Sequence, residues 1–346
     1  MNASLAVPGL DRLAPDQSQL PVVVCSGLRF TSEPHPGPSK VPLRLTQIKA
    51  TARGKALALR PGQEREAAMA TPTYIVHAEA GADGEARIRL AARLARQFEA
   101  MLIGVAAQDI VPPVTSTAAG AVLVAALMTA QEKTIERDLK AAHEAFRLVT
   151  ANEPCPTEWR QSIALPVEAL AREARGTDLI ILGRKPDGPA GRSRHPDPAD
   201  VLMHSGRPIL LSPPGMDHLN LSSVVIAWKD TRESRRAVMD SIPLLRHAER
   251  VAVIAVKRDD SEQDETQAAV DDVAAYLTRH EIPASGHVRM LRQPTVPEEL
   301  LLAAEQHDAG LMVAGGYGHT RIQEFVLGGV TRTLLRHYPK CCLLSH

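Results

Sequence analysis

Aromatic residues are scarce in this chain of 346 residues, at 3% of the total. Its apolar content rests on Ala, Val, Leu and Ile, the composition of buried parallel strands and of helices packed on small side chains. Net charge is lacking too, since 40 Lys and Arg balance 40 Asp and Glu. Such a balance carries no electrostatic footprint for nucleic acid or for an anionic membrane, and neither is expected as a partner. Long apolar runs are missing. Crossing a bilayer takes roughly 20 residues, and the nearest candidate, Ala118 to Ala130, is shorter and merges into the charged helical stretch Gln131 to Arg147. It reads as a buried helical segment. Cysteines number four: Cys25, Cys155, Cys341 and Cys342. Their spacing fits neither a metal site nor a disulfide framework, so a cytoplasmic setting is expected. Cys341 and Cys342 are adjacent and would face opposite ways in a strand; filling small apolar sites is the preferred reading over redox work. His204, His247, His337 and His346 show no metal-ligand spacing. No nucleophile elbow, triad or paired carboxylates stand in a recognisable context, so no residue supports an enzymatic reaction.

Residues 1 to 70 lack sustained apolar periodicity. They hold eight prolines, Pro8, Pro15, Pro21, Pro34, Pro36, Pro38, Pro42 and Pro61. A segment of this kind buries too little to offset its ordering entropy, and it has no secretory-signal pattern. It is expected to be a disordered or mis-annotated extension, with translation starting at Met69. A peptide from upstream of Met69 in intact cellular protein would refute that expectation.

Beyond Thr71 the pattern alternates between strand and helix. Strands are expected at Tyr74–Ala78, Met101–Ala106, Glu158–Ile163, Asp178–Gly183 and Arg207–Ser212. Helices are expected at Gly84–Phe98, about Ala118–Ala151 and Pro166–Arg175. The order then repeats: strands at Ser223–Trp228, Arg250–Lys257, His287–Leu291, Leu311–Ala314 and Cys341–Leu344, with helices between. Alternation of this sort specifies a parallel sheet covered on both faces. An internal repeat of this size reads as a tandem pair of domains, 72–213 and 216–346, meeting near Pro213-Pro214-Gly215.

The stretch Gly310–Leu335 carries the chemistry. A short apolar strand feeds a loop containing Gly315, Gly316 and Gly318, and Gly328-Gly329 opens an amphipathic helix. A glycine-rich turn before a helix leaves backbone N–H groups unpaired, and these attract an anion, most often a phosphate. A plain tight turn would use the same glycines. The first half has Gly183-Arg184-Lys185-Pro186-Asp187-Gly188 at the matching place, followed by Pro189, Pro196 and Pro198, and reads as a proline-broken solvated connection. One working loop and one scaffold half are therefore expected.

The spacing of Gly315, Gly318 and Gly328, with the preceding Ala-Gly-Leu-Met-Val and the closing Leu-Leu-Arg-His-Tyr-Pro-Lys-Cys-Cys-Leu-Leu-Ser-His, resembles the universal stress protein family. That resemblance implies an α/β chain of two tandem adenine-nucleotide-hydrolase-like (Rossmann-like) domains, each a five-stranded parallel sheet flanked by helices. It implies a stress-response regulator that binds ATP or another adenine nucleotide, with or without Mg, in the second domain. Gly315, Gly318, Gly328 and Gly329 would form the loop, with His319 leaning over a phosphate. The family has Ser or Thr where Gly329 stands, and Thr331 is the nearest substitute. It places Asp after the first strand, where this chain has Lys229 and then Asp230; Val256 would border the adenine. The final strands of two such domains commonly pair, so an intramolecular pseudo-dimer or a homodimer is implied. Two other classes remain: a member without nucleotide that acts as a dimerising interaction module, which Gly329 and Lys229 favour, and a slow ATPase, for which no general base or metal ligand is evident.

Overall fold

The computed structural model describes residues 71–111, 118–184, 193–259, 263–316 and 329–346. The expected N-terminal extension lies outside the described residues. The first half runs β1 (Thr73–His77), α1 (Ala82–Gln97), β2 (Met101–Gln108), α2 (Ala118–Thr150), β3 (Thr157–Ile163), α3 (Pro166–Glu173), β4 (Leu179–Gly183), α4 (Pro198–Ser205) and β5 (Ile209–Ser212). The second runs β6 (Ser223–Ala227), α5 (Arg232–Leu245), β7 (Arg250–Lys257), α6 (Gln263–Arg279), β8 (Ala284–Met290), α7 (Val296–Gln306), β9 (Leu311–Gly315), α8 (Gly329–His337) and β10 (Cys341–Ser345).

All ten strands join one sheet in the order β3-β2-β1-β4-β5-β10-β9-β6-β7-β8. Neighbours within each half are parallel, as strand–helix–strand crossovers require. The halves meet where β5 and β10 pair antiparallel, Cys342 opposite Leu211 and Leu343 opposite Leu210. The strands at this seam, Ile209–Ser212 and Cys341–Ser345, are buried at every position. That explains their apolar runs Ile209–Leu211 and Cys341–Leu344, since both faces are covered.

The two faces of the sheet carry separate apolar clusters. One joins Ile88 and Leu90 of α1, Phe146 of α2, Val238 of α5 and Leu277 of α6 to Cys341 and Leu343. The other joins Leu170 of α3, Leu202 of α4, Leu300 of α7 and Leu334 of α8 to Cys342 and Leu344. Adjacent Cys341 and Cys342 thus fill opposite faces, as strand alternation demands.

One helix departs from the sequence reading. The prolines after Gly188 were expected to keep the connection irregular, yet Pro198–Ser205 is helical. Asp197 caps it, accepting a hydrogen bond from the Ala199 N–H at 3.0 Å, and Pro198 takes the first turn, where its missing N–H costs nothing. Gly206 ends it at φ 62°, a left-handed position suited to glycine. Among the described residues no helix is long and apolar enough to cross a membrane.

Candidate functional site

Strand order reverses in the second half between β6 and β9, where Ala227 lies opposite Ala314. The helix after β6 covers one face and the helix after β9 the other, so a crevice opens beyond the carboxyl ends of these strands. Gly315 closes β9 against the first turn of α5. A β-carbon there would stand 2.6 Å from the Ser234 backbone nitrogen and 2.7 Å from the Glu233 carbonyl carbon. Backbone atoms cannot yield at that distance, so only glycine fits. Next to it, the Gly316 N–H donates to the Ser345 carbonyl at 2.7 Å. The Gly316 carbonyl lies 3.1 Å from His346 Nδ1.

The turn after β6 faces the same end of the sheet. Lys229 and Asp230 are both exposed, and the Thr231 N–H donates to the Lys229 carbonyl at 2.7 Å. Asp230 pairs with Arg235 at 2.5 Å, both side chains well exposed, a pair worth about 1 kcal/mol at most. Thr231 caps α5 through a 3.4 Å contact from the Ser234 N–H. Glu233, 5% exposed, bonds Arg232 at 2.5 Å. Burial alone would raise its pKa, but the Arg232 hydrogen bond, its own backbone and Thr231 hold it below the usual carboxylate range. Trp228 floors a cleft of about 400 Å³ between α5 and α6, rimmed by Asp230, Arg235 and Asp272.

Of the remaining candidates, Val256 is half-buried near the end of β7 and packs against the α7–α8 side of the sheet. Gly329 is exposed at the start of α8, where a β-carbon would meet only the Pro297 Cγ, at 3.8 Å. Thr331, 4% exposed, is enclosed in the first turn of that helix. Gly318, His319 and Gly328 lie outside the described residues. The structure therefore brings Gly315, Lys229 and Asp230 to the switch point, with Val256 one strand further along.

The first half holds functional-looking groups that sequence reasoning missed. A cleft of about 340 Å³ opens at the ends of β1 and β2, lined by His77, Glu79, Gln108, Asp138, Arg194 and His195. Glu79 receives Arg87 Nη2 at 2.6 Å and faces His195 Nδ1 at 2.9 Å. Arg87 Nε also donates to the His77 carbonyl at 2.8 Å, and Arg194 pairs with Asp138 at 2.7 Å. Burial, aided by the Arg87 charge, pushes the His77 imidazole down to about 3. For Glu79, burial pulls upward, but the His195 hydrogen bond and the Arg87 charge win and hold the carboxyl far below its ordinary range. One signal was available: Glu79 stands two residues beyond β1, as Lys229 stands two beyond β6. The first half thus has an acid at the position where the second half has a lysine.

The universal stress protein family model matches residues 223–346. The match covers the second half of the chain, from β6 to β10. Among solved structures, a universal stress protein from Archaeoglobus fulgidus aligns with a TM-score of 0.58 at 12% identity, over 79% of this chain and 95% of that one. A protein of unknown function from Pseudomonas aeruginosa aligns at 0.49 and 16% identity, over 80% and 92%. The universal stress protein UspA of Lactobacillus plantarum aligns at 0.33 and 12% identity, over 37% and 99%. The Archaeoglobus likeness spans both halves, so the universal stress protein fold covers the whole ten-stranded sheet. No curated protein sequence matches.

Proposed function

We propose that this chain is a regulator of the universal stress protein type that binds one adenine nucleotide, ATP for preference, at the β6–β9 switch point of its second half, without turning it over. The observation that carries the reading is the start of α8: Gly329 is exposed, and a β-carbon there would meet only the Pro297 Cγ, at 3.8 Å. Unpaired N–H groups at such a helix start, reinforced by the dipole, suit a phosphate. Lys229 adds a cation at the mouth of the same crevice, and Gly315 ends β9 beside it. Gly318 and Gly328 would continue that cradle. Nucleotide occupancy would bias the population of a surface that a protein partner reads.

The test is calorimetric titration of ATP with magnesium into the full chain, alongside Gly318→Val and Gly328→Val. Micromolar uptake at one site per chain, abolished by both substitutions, is the expected outcome. Absence of heat and of thermal stabilisation at millimolar ATP would sink the reading. A second reading, an interaction module without nucleotide, is favoured by two features of the same helix: the hydroxyl absent at Gly329 and the enclosure of Thr331.

A further inference from the structure

We propose that the groove along α7 is a docking site for a basic segment of a partner protein, one that presents an arginine between apolar residues. The groove, of about 560 Å³, runs between α7 and the turn that enters β10. It lies at the amino ends of β9 and β10, away from the switch point at the carboxyl ends, and it does not depend on the nucleotide reading. Glu298, Leu301, Leu302 and Glu305 recur at intervals of three and four, so they form one stripe down the helix. All four line the groove. Leu301 and Leu302 are half-buried, whereas Glu298 and Glu305 are exposed. Tyr338 and Pro339 continue the apolar floor. Tyr338 is 2% exposed, yet its hydroxyl has no hydrogen-bond partner among the described residues, a deficit that a bound donor would remove.

The charges of the groove are one-sided. Glu305 and Asp308 stand at the end of α7, where the helix dipole disfavours acids, and no basic residue occupies its last turn. Of the described residues lining the groove, Lys340 alone is a cation, and it pairs with Asp308 at 3.0 Å. Glu298 accepts from the Thr295 hydroxyl at 2.9 Å. The first half shows what such a corner takes. Arg207, ahead of β5, donates from Nε to the Ala174 carbonyl at 3.2 Å and from Nη2 to the Arg175 carbonyl at 3.4 Å, closing the turn that follows α3. Lys340 stands ahead of β10 in the second half, but its amine goes to Asp308, and the corner is left open. A guanidinium from outside would meet Glu305 and Glu298 there, with its planar fork suited to carboxylates, while its apolar neighbours cover Leu301 and Leu302.

The experiment uses the full chain and the peptide Gly-Leu-Arg-Leu-Gly carrying an uncharged fluorophore, followed by anisotropy. A second peptide has citrulline, which keeps the shape of arginine without its charge. The arginine peptide should bind, and the citrulline peptide should bind roughly tenfold more weakly, the scale of one charge-assisted hydrogen bond. Glu305→Lys should cost the arginine peptide a similar factor. Because a cation suits that helix end, the variant should unfold no earlier than the native chain, so lost binding would not report lost structure. Glu132→Lys, the same reversal at an exposed position of α2, should leave binding unchanged. Equal binding of the two peptides, equal losses in the two variants, or no binding at millimolar peptide would each overturn the proposal. So would a dimer of the native chain in sedimentation velocity that Glu305→Lys dissolves, because the groove would then belong to a second copy.

Discussion

The Arg87 guanidinium occupies the space that a β-carbon on Gly183 would need. This makes the end of β4 unlike the end of β9, where the same kind of glycine is pressed against helix backbone. The space beside Gly183 is taken by a cation already committed to Glu79 and the His77 carbonyl.

Gly183→Ala should therefore act as an overpacking substitution and cost roughly 1–3 kcal/mol. The displaced arginine would strain the Glu79 pair as well. Urea unfolding of the variant should show a lower midpoint, and the same change at the exposed Gly176, which has open space around it, should not. Equal stability of Gly183→Ala and native protein would overturn the packing argument.

Acid should loosen the same network. His77 is held neutral in the folded state, with its pKa lowered from 6.5 to about 3. The unfolded chain therefore binds more protons between those values, and stability falls as pH drops through that window, by up to about 1.4 kcal/mol per unit. Glu79 acts in the same sense at lower pH, because its depressed carboxyl gives stability that is present above its unfolded value and lost on further acidification. His77→Gln should flatten the slope between about pH 6.5 and 4. A slope unchanged by that substitution would mean another group carries it.

The paired cysteines should be chemically silent. Burial pushes both the Cys341 and the Cys342 thiol up to about 12, so almost no thiolate exists at neutral pH. They also point to opposite faces of the sheet. Alkylation of native protein followed by peptide mapping should leave both unmodified until denaturant is added, with the half-buried Cys155 reacting first among the described cysteines.

Trp228 offers a reporter for the proposed site. The chain has two tryptophans, and Trp228 directly precedes Lys229 at the end of β6. With Trp159→Phe in place, ATP should quench the remaining emission in step with calorimetric uptake. Heat without any change in Trp228 emission would place the nucleotide away from β6.

Much of the fold was legible because the central strands are apolar at every position; Leu179–Gly183 and Leu311–Gly315 could hardly be anything else. Edge strands were harder. β8 begins at Ala284, ahead of the expected His287, because Ser285 and Gly286 carry no apolar signal; Gly286 is small because α6 packs close to it near Asp271. Helix α4 was hidden by its own prolines, although the Asp197 cap and Pro198 are legitimate helix-start signals. At the site, Gly315 and the β6 turn were readable from strand ends and spacing. The first-half network was not, since Glu79 and His195 are far apart in sequence and only the fold brings them together.

The antiparallel seam between β5 and β10 has a consequence for how the protein can vary. Two identical subunits meeting at such a seam would receive every substitution twice, and an arginine reaching across would face its own copy. Here each half always meets the other one, at a local concentration that dilution cannot change. Lopsided pairs such as Arg184 with the Arg336 carbonyl, and Leu202 with Gly316, can therefore arise one at a time, leaving one half free to specialise while the other holds it in shape.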